Sequence, residues 1–429
     1  MSNPLPTKWS LYNLRASPFF QDVLQAGEQS PQPLDSLFVG REGELRALGE
    51  HIRSAGAHGT RQALAGLPGV GKTTIVQELK STLLGEGYLS TDSWASLVPE
   101  DTSASLFGRM LGQIYDTLLA NRPHMVDSNA MRQAQALVRT TRLLERGVGL
   151  SAAGFGAHLG QSETVWTPSD IMIDGPRVVR DLMLALANSD AAGLIVHVNN
   201  FETLSERDVV RAAETIRALR DPMLMHDRLH VVFVGTTDAI QQALQTHVQV
   251  RNVTSVLRIE PLDTLTVHAL LRARYDHLRR DPSADVIPPV TDETVEALHA
   301  LYQGDLRGLL KALDDGVSPS LGLMGAGTEN ASRQLTLEDI APVLKQRYGA
   351  ELDTMSVQTR VRQLRIWGSR GADAVMTQKD LSRLWGIKQP SVSAALQFLT
   401  DRGYVVALPR EGGEEIRYVL SGTSRLIFL

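Results

Sequence analysis

Gly66-Leu67-Pro68-Gly69-Val70-Gly71-Lys72-Thr73 is a complete G-x-x-x-x-G-K-[ST] loop, set between the apolar run Ala63-Leu64-Ala65 and a helix-forming stretch from Thr74 to Leu84. That context gives the pattern its meaning. Glycines let the backbone turn tightly, so that successive N–H groups converge on one anion. The N-terminus of the following helix adds its positive dipole end. Lys72 reaches β/γ oxygens as a point charge, and the Thr73 hydroxyl is placed for Mg²⁺. Gly66, Pro68, Gly69, Val70, Gly71, Lys72, Thr73 and Thr74 are therefore the candidate residues for a nucleoside triphosphate, with ATP and Mg²⁺ as the expected ligands.

Composition bounds what surrounds the loop. The 429 residues suggest about three domains, and a hydrophobic share of 43% supplies sizeable cores. The chain has no cysteine, which excludes disulfides, thiolate metal sites and cysteine nucleophiles. Met1-Ser2-Asn3-Pro4 lacks the basic and apolar regions of a leader, and no apolar run approaches a membrane span. A cytoplasmic protein without membrane contact is expected. With a net charge of −5, affinity for nucleic acid must come from a local patch.

Residues 1–35, with the aromatic anchors Trp9, Tyr12, Phe19 and Phe20, read as an arm laid over the core. A helix is predicted over Glu44–Ser54, then the loop, then a strand over Tyr88–Ala95. An insertion of about 97–190 follows, with helices through Leu106–Leu118, over 128–146 and over Pro176–Ser189. Within it, 147–156 is rich in small residues and reads as a surface hairpin or a mobile partner-binding element. Strands at Leu194–Val198 and Val231–Val234 flank a helix at Ser205–Arg220. Lone His197 reads as a packing residue. Alternating strands and helices behind a phosphate loop make residues 36–260 a doubly wound α/β core. Beyond Pro261 the pattern is all helical over 261–345 (264–280, 291–302, 305–314), with a loop from Gly316 to Gln334. Residues 346–429 form a further unit.

A hydrolysing enzyme of this kind ends its third core strand with two carboxylates, one for metal-bound water and one for the attacking water. Here the strand ends Val198-Asn199-Asn200-Phe201-Glu202. The Asn199 amide can accept from a metal-bound water, but neither Asn199 nor Asn200 can take a proton near neutral pH. Glu202 substitutes only if the turn swings it inward. Slow hydrolysis is expected. Thr236 or Thr237 offers a hydroxyl at the next strand end, where a simple helix cap is the alternative. Arg307 flanks the apolar face Leu306, Leu309, Leu310 and Leu313, from which a cation could reach the phosphates.

Phe38-Val39-Gly40-Arg41-Glu42, the phosphate loop, Gly235-Thr236, Ile259-Glu260-Pro261-Leu262 and Gly304-Asp305-Leu306-Arg307 stand in the order found in AAA+ ATPases. The chain resembles their origin-recognition and replication-initiator clade over roughly residues 36–425. That resemblance implies an α/β ATPase core, a helical lid and a C-terminal winged helix. It implies Phe38 and Val39 near the adenine, Thr236 as first sensor and Arg307 as second sensor. It also implies an arginine finger for a neighbouring subunit, with Arg251 the candidate and Arg258 in reserve. The Asn199-Asn200 pair and the long insertion depart from the pattern.

The C-terminal unit carries its own signals. Thr377-Gln378-Lys379-Asp380 is a capping box, Gly386-Ile387-Lys388 a turn, and Pro390 opens a helix with Val392, Ala395, Leu396 and Leu399 on one face. Tyr404–Leu408 and Ile416–Leu420 read as wing strands around 410–413. Lys388, Gln389, Ser391, Ser393 and Gln397 would enter the major groove of double-stranded DNA. Residues 350–429 hold eleven Lys/Arg against eight Asp/Glu, only mildly basic, and Glu411, Glu414 and Glu415 at the wing tip would repel phosphate. The sequence thus describes a nucleotide switch coupled to self-association or a partner protein and to DNA. A STAND-like or phage-defence ATPase acting on an effector, and a transposition-regulator ATPase, are the alternatives.

Overall fold

The computed structural model of the chain describes residues 8–22, 24, 32–145, 168–201, 206–323, 333–408 and 415–429. Its centre is a parallel sheet of β1 (Arg61–Gly66), β2 (Tyr88–Leu89), β3 (Ala95–Ser96), β4 (Gly193–Asn199), β5 (Leu229–Gly235) and β6 (Ser255–Ile259). The order is β2-β4-β5-β1-β6, with β3 also on β4. The single strand predicted over Tyr88–Ala95 is two short ones. Both pair with β4, at Tyr88↔Gly193 and Ala95↔Val198, and the chain between them turns away. There Thr91 and Ser93 turn their carbonyls to the buried Lys80 ammonium at 2.7 and 2.9 Å.

Helices cover both faces, so every central strand buries both sets of alternating side chains. Ala63, Val196, Val198, Val231 and Phe233 point to one layer, Leu64, Ile195, Val232 and Val234 to the other. The first layer is thickened by the inserted helices Ser103–Asn121, Asn129–Glu145 and Pro168–Ala187. The last starts eight residues before the predicted Pro176, which stands inside it. Gly175 beside it lets the backbone approach the Phe107 ring, leaving no room for a Cβ. The small-residue stretch 147–156 lies outside the described residues.

The helical unit consists of Thr264–His277, Asp292–Tyr302, Leu306–Leu323 and Leu337–Asp353. A loop predicted to start at Gly316 is instead helix as far as Leu323. Val317 and Leu321 are buried there, and the Ser320 hydroxyl satisfies the Gly316 carbonyl at 2.7 Å. The arm docks on this unit rather than on the α/β core: Trp9, Tyr12, Leu14 and Phe19 are part of its apolar centre.

Three helices (Gln358–Gly368, Gln378–Trp385, Gln389–Asp401) and an antiparallel sheet β7-β9-β8 (Met376–Thr377, Arg417–Leu420, Val405–Ala407) build the last unit around buried Trp367. The terminal helix Gly422–Phe428 returns to the helical unit, with Leu426 in its core and Gly422 against the Tyr302 ring. Among the described residues no helix is long and apolar enough to cross a membrane.

Two sheet histidines are buried without a counter-charge. His197 has no exposed surface, and its ring lies 5.9 Å from that of Trp94. His230 shares a hydrogen bond with Thr60 Oγ1 at 3.0 Å. Burial, and then the nearby Lys80, hold the His197 pKa well down. Burial, then Arg61, pull His230 down to about 4. Both therefore stay neutral when folded but protonate near pH 6.5 when unfolded. The unfolded chain binds more protons as pH falls from 6.5 toward 4, so stability is lost across that window. His230 alone is expected to make the fold on the order of 2 kcal/mol less stable at pH 5 than at pH 8. Urea midpoints at the two pH values measure this. An equally large pH dependence in His230→Gln would refute the assignment.

Candidate nucleotide site

β1 ends at Gly66, where any Cβ would lie 2.6 Å from the Ile259 carbonyl of β6. The loop then needs left-handed backbone twice, with φ of 79° at Gly69 and 93° at Gly71, a region in which glycine pays no steric penalty. Gly71 caps the helix Lys72–Leu84, whose first-turn N–H groups lack intrahelical partners. Lys72 Nζ bridges the loop, donating to the Gly66 and Leu67 carbonyls at 3.1 and 2.8 Å. Its ammonium is thus held inside the turn where anion-binding amides converge.

A cleft opens over the loop. Gly69, Val70, Gly71, Lys72, Thr73 and Thr74 line it, with Phe38, Val39 and Arg41 from the entrance to the core. The helical unit contributes Leu262, Leu270, Arg274, Leu306, Arg307 and Leu310, and the arm contributes Gln21, Asp22 and Leu24. Of the expected residues, the fold therefore brings together Phe38, Val39, six of the loop positions and Arg307. Gly66 and Pro68 shape the loop without lining the cleft.

Three residues missed in the sequence tie these parts together. Arg41 is buried; its guanidinium donates to the Val70 carbonyl at 3.1 Å and the Glu260 carbonyl at 2.7 Å, and pairs with Glu44 at 2.8 Å. Asp305 accepts from the Gly308 N–H at 2.9 Å, capping the helix that carries Arg307. Burial pushes its carboxyl up, opposed by the Gly308 hydrogen bond and Arg307. Arg274 reaches the cleft from the helix Thr264–His277. A charge on the leucine-rich face of that helix is its only signal in the sequence, whereas Arg41 and Asp305 both belong to motifs of the resemblance that assign them no role.

Across the sheet, Asn199 ends β4 and is buried, and Asn200 has φ 73°. The Asn200 N–H donates to Asn199 Oδ1 at 2.8 Å, so that amide oxygen already serves the turn. Glu202 lies outside the described residues. Thr236 caps the helix Thr237–Gln245, its hydroxyl accepting from the Ala239 N–H at 3.4 Å, and Thr237 is buried. Arg251 ends the short helix Val248–Arg251 and Arg258 lies on the sheet-edge strand β6; both are exposed and neither lines this cleft. No cluster of three or more His, Cys, Asp or Glu suited to a metal occurs among the described residues.

In the last unit Lys388, Gln389, Ser391, Ser393 and Gln397 are all exposed along Gln389–Asp401 and its cap. Gln397 donates to Asp401 at 2.8 Å. On the neighbouring helix, Arg362 is exposed, Arg360 donates to Gln363 at 2.9 Å, and Arg365 pairs with Asp353. The wing-tip residues 409–414 lie outside the described residues.

The loop-to-lid contact is testable through Gly69. A Cβ there would sit 1.9 Å from Asp305 Oδ1 on a backbone already at positive φ. Gly69→Ala is expected to cost about 1–3 kcal/mol of stability through backbone strain, and to displace the lid. Adding Asp305→Ser removes the colliding carboxylate while keeping a cap, and should return part of the loss in a urea-denaturation cycle. Strict additivity would show that the two do not touch.

Residues 37–234 match the family model of the AAA ATPase domain. No curated protein matches the chain. Among solved structures, the Aeropyrum pernix ORC1 protein in complex with DNA is 13% identical, covering 92% of this chain and 94% of its own, with TM-score 0.47. The Aeropyrum pernix ORC2 protein in ADPNP–ADP complexes is 15% identical, covering 96% and 95%, with TM-score 0.47. A Cdc6p from Pyrobaculum aerophilum is 14% identical, covering 94% and 96%, with TM-score 0.39. The family match spans the phosphate loop and the strands β1 to β5 that carry it, and residues 37–234 of this chain are an AAA ATPase domain.

Proposed function

We propose that the chain is an ATP-dependent switch whose nucleotide state sets the pose of the helical unit, and through it assembly and DNA contact by the C-terminal unit. One observation carries this reading: the phosphate loop and Arg307 of the helical unit line the same cleft. A ligand bridging them contributes its binding energy only when the lid is closed, which biases a two-state equilibrium by its differential affinity. Lys72 and the loop amides would hold the β- and γ-phosphates, and Arg307 would close on the γ-phosphate. Phe38 and Val39 would flank the base. The Thr73 hydroxyl fits a Mg²⁺ ligand, the remaining positions falling to phosphate oxygens and water. Bound Mg²⁺ would supply charge neutralisation for the triphosphate. Arg251 and Arg258, exposed near the sheet edge, suit contact with a neighbouring subunit or partner protein.

The amide pair Asn199-Asn200 supports binding without rapid turnover, because neither side chain can serve as a base. Lys72→Ala is expected to abolish ATP binding in calorimetry, and equal affinity in wild type and variant would overturn the site. Wild-type hydrolysis should be slow, and Glu202→Gln should remove what remains while ATP still binds. A fast rate untouched by that substitution would place the base elsewhere.

The helix–turn–helix and three-stranded sheet suit a winged helix that presents Lys388, Gln389, Ser391, Ser393 and Gln397 to double-stranded DNA. Its charge favours modest affinity with a shallow salt dependence, raised by avidity when subunits assemble. Lys388→Ala with Gln389→Ala should weaken sequence preference, and loss of Arg360, Arg362 and Arg365 should weaken all duplexes alike. Fluorescence anisotropy with the full chain, with and without ATP, reads both. The intramolecular partners of Arg360 and Arg365 favour a second reading, in which this unit contacts protein as in a STAND-like, phage-defence or transposition-regulator ATPase. Absence of binding to any duplex would select it.

A further inference from the structure

The N-terminal arm reaches the cleft as an extension of the helical unit. Its tethers run there: Lys8 to the Ser318 carbonyl at 2.7 Å, Tyr12 to the Arg333 carbonyl at 2.8 Å, and Ser17 to Asp314 at 2.6 Å. The Arg15 N–H donates to the Leu278 carbonyl at 2.9 Å, and Trp9, Tyr12, Leu14 and Phe19 sit in the unit's apolar core. Beyond these anchors, Phe20 and Leu24 pack with Leu34, Leu37 and Phe38 into a small apolar cluster at the cleft wall. The side chain expected to flank the base is thus backed by the arm.

Arg274 holds this segment in place. It is 6% exposed, and its guanidinium donates to the Pro18 carbonyl at 3.1 Å and the Phe20 carbonyl at 2.8 Å while lying 4.0 Å over the Phe20 ring. Among the described residues no carboxylate pairs with it, and Nε has no hydrogen-bond partner. Burial pulls it down to about 10, opposed by Tyr275, so it remains a cation at neutral pH. A buried cation without a counter-ion is costly. Here two main-chain carbonyls and one aromatic face offset that cost, and all three belong to the arm.

We propose that Arg274 is a positioning residue that clamps the N-terminal arm to the helical unit as the wall against which the nucleotide's base packs. The inference rests on the nucleotide-site reading and extends it to the nucleoside end. Because arm and Arg307 both ride on the helical unit, base contact and phosphate contact are made and broken together.

The test compares two ligands on the full chain: ATP and inorganic tripolyphosphate, each with Mg²⁺, by calorimetry. Arg274→Met and Phe20→Ala are each expected to weaken ATP by about tenfold or more while tripolyphosphate changes by less than about twofold. Lys72→Ala should weaken both ligands. An unchanged ratio of the two affinities, or equal loss of both in the arm variants, overturns the clamp. Failure of the wild type to bind either ligand overturns the nucleotide site itself. Phe20→Ala trims a half-buried ring and leaves the guanidinium intact, so it carries the test if Arg274→Met fails to fold.

Discussion

The contact on which the cleft depends is the meeting of a side-chain-free loop vertex with a half-buried carboxylate. Gly69 can approach Asp305 only because it has no Cβ, and it can hold φ of 79° for the same reason. Asp305 in turn caps the helix bearing Arg307, so the loop vertex lies directly against the cap of that helix. Arg41 adds the third side by tying the Val70 carbonyl to the end of β6 through Glu260. Loop, helical unit and sheet edge are therefore tied to one another by these contacts.

Much of the core was legible because its signals are local. The phosphate loop fixes its own backbone, and the near-continuous apolar runs Leu194–Val198 and Val231–Val234 give strands that the sheet confirms. The capping box at Thr377 and Asp380 forms as its spacing implies, at 3.2 and 3.1 Å. What escaped reading depends on long-range contact. Gly316 looks like a breaker until helix Leu337–Asp353 packs on it; a Cβ there would crowd Ile340 and Leu344 at 3.0 and 3.3 Å. Arg274 looks like a helix-flank cation until the chain 256 residues earlier supplies its acceptors. The aromatic anchors mark the arm as docked, but it packs on the helical unit rather than over the α/β core, which nothing local could tell.

The turn after β4 shows how conformation and chemistry are linked in this site. Asn200 adopts φ of 73°, a region that asparagine tolerates better than most side chains and glutamate does not favour. Asn199 reinforces that turn by accepting the Asn200 N–H with its own side chain. The two residues are thus matched to a left-handed turn, and the Asn199 side-chain oxygen is spent on its shape. A carboxylate base at position 200 would have to bear the strain of the same backbone. The strand end thus holds a left-handed turn through its own side-chain acceptor, in keeping with the slow hydrolysis proposed above. If the arm and Arg307 ride together on the helical unit, each bound nucleotide is gripped at base and phosphate by the same body. On the proposed switch, release would await either lid opening or hydrolysis, and slow hydrolysis would lengthen the lifetime of the closed state.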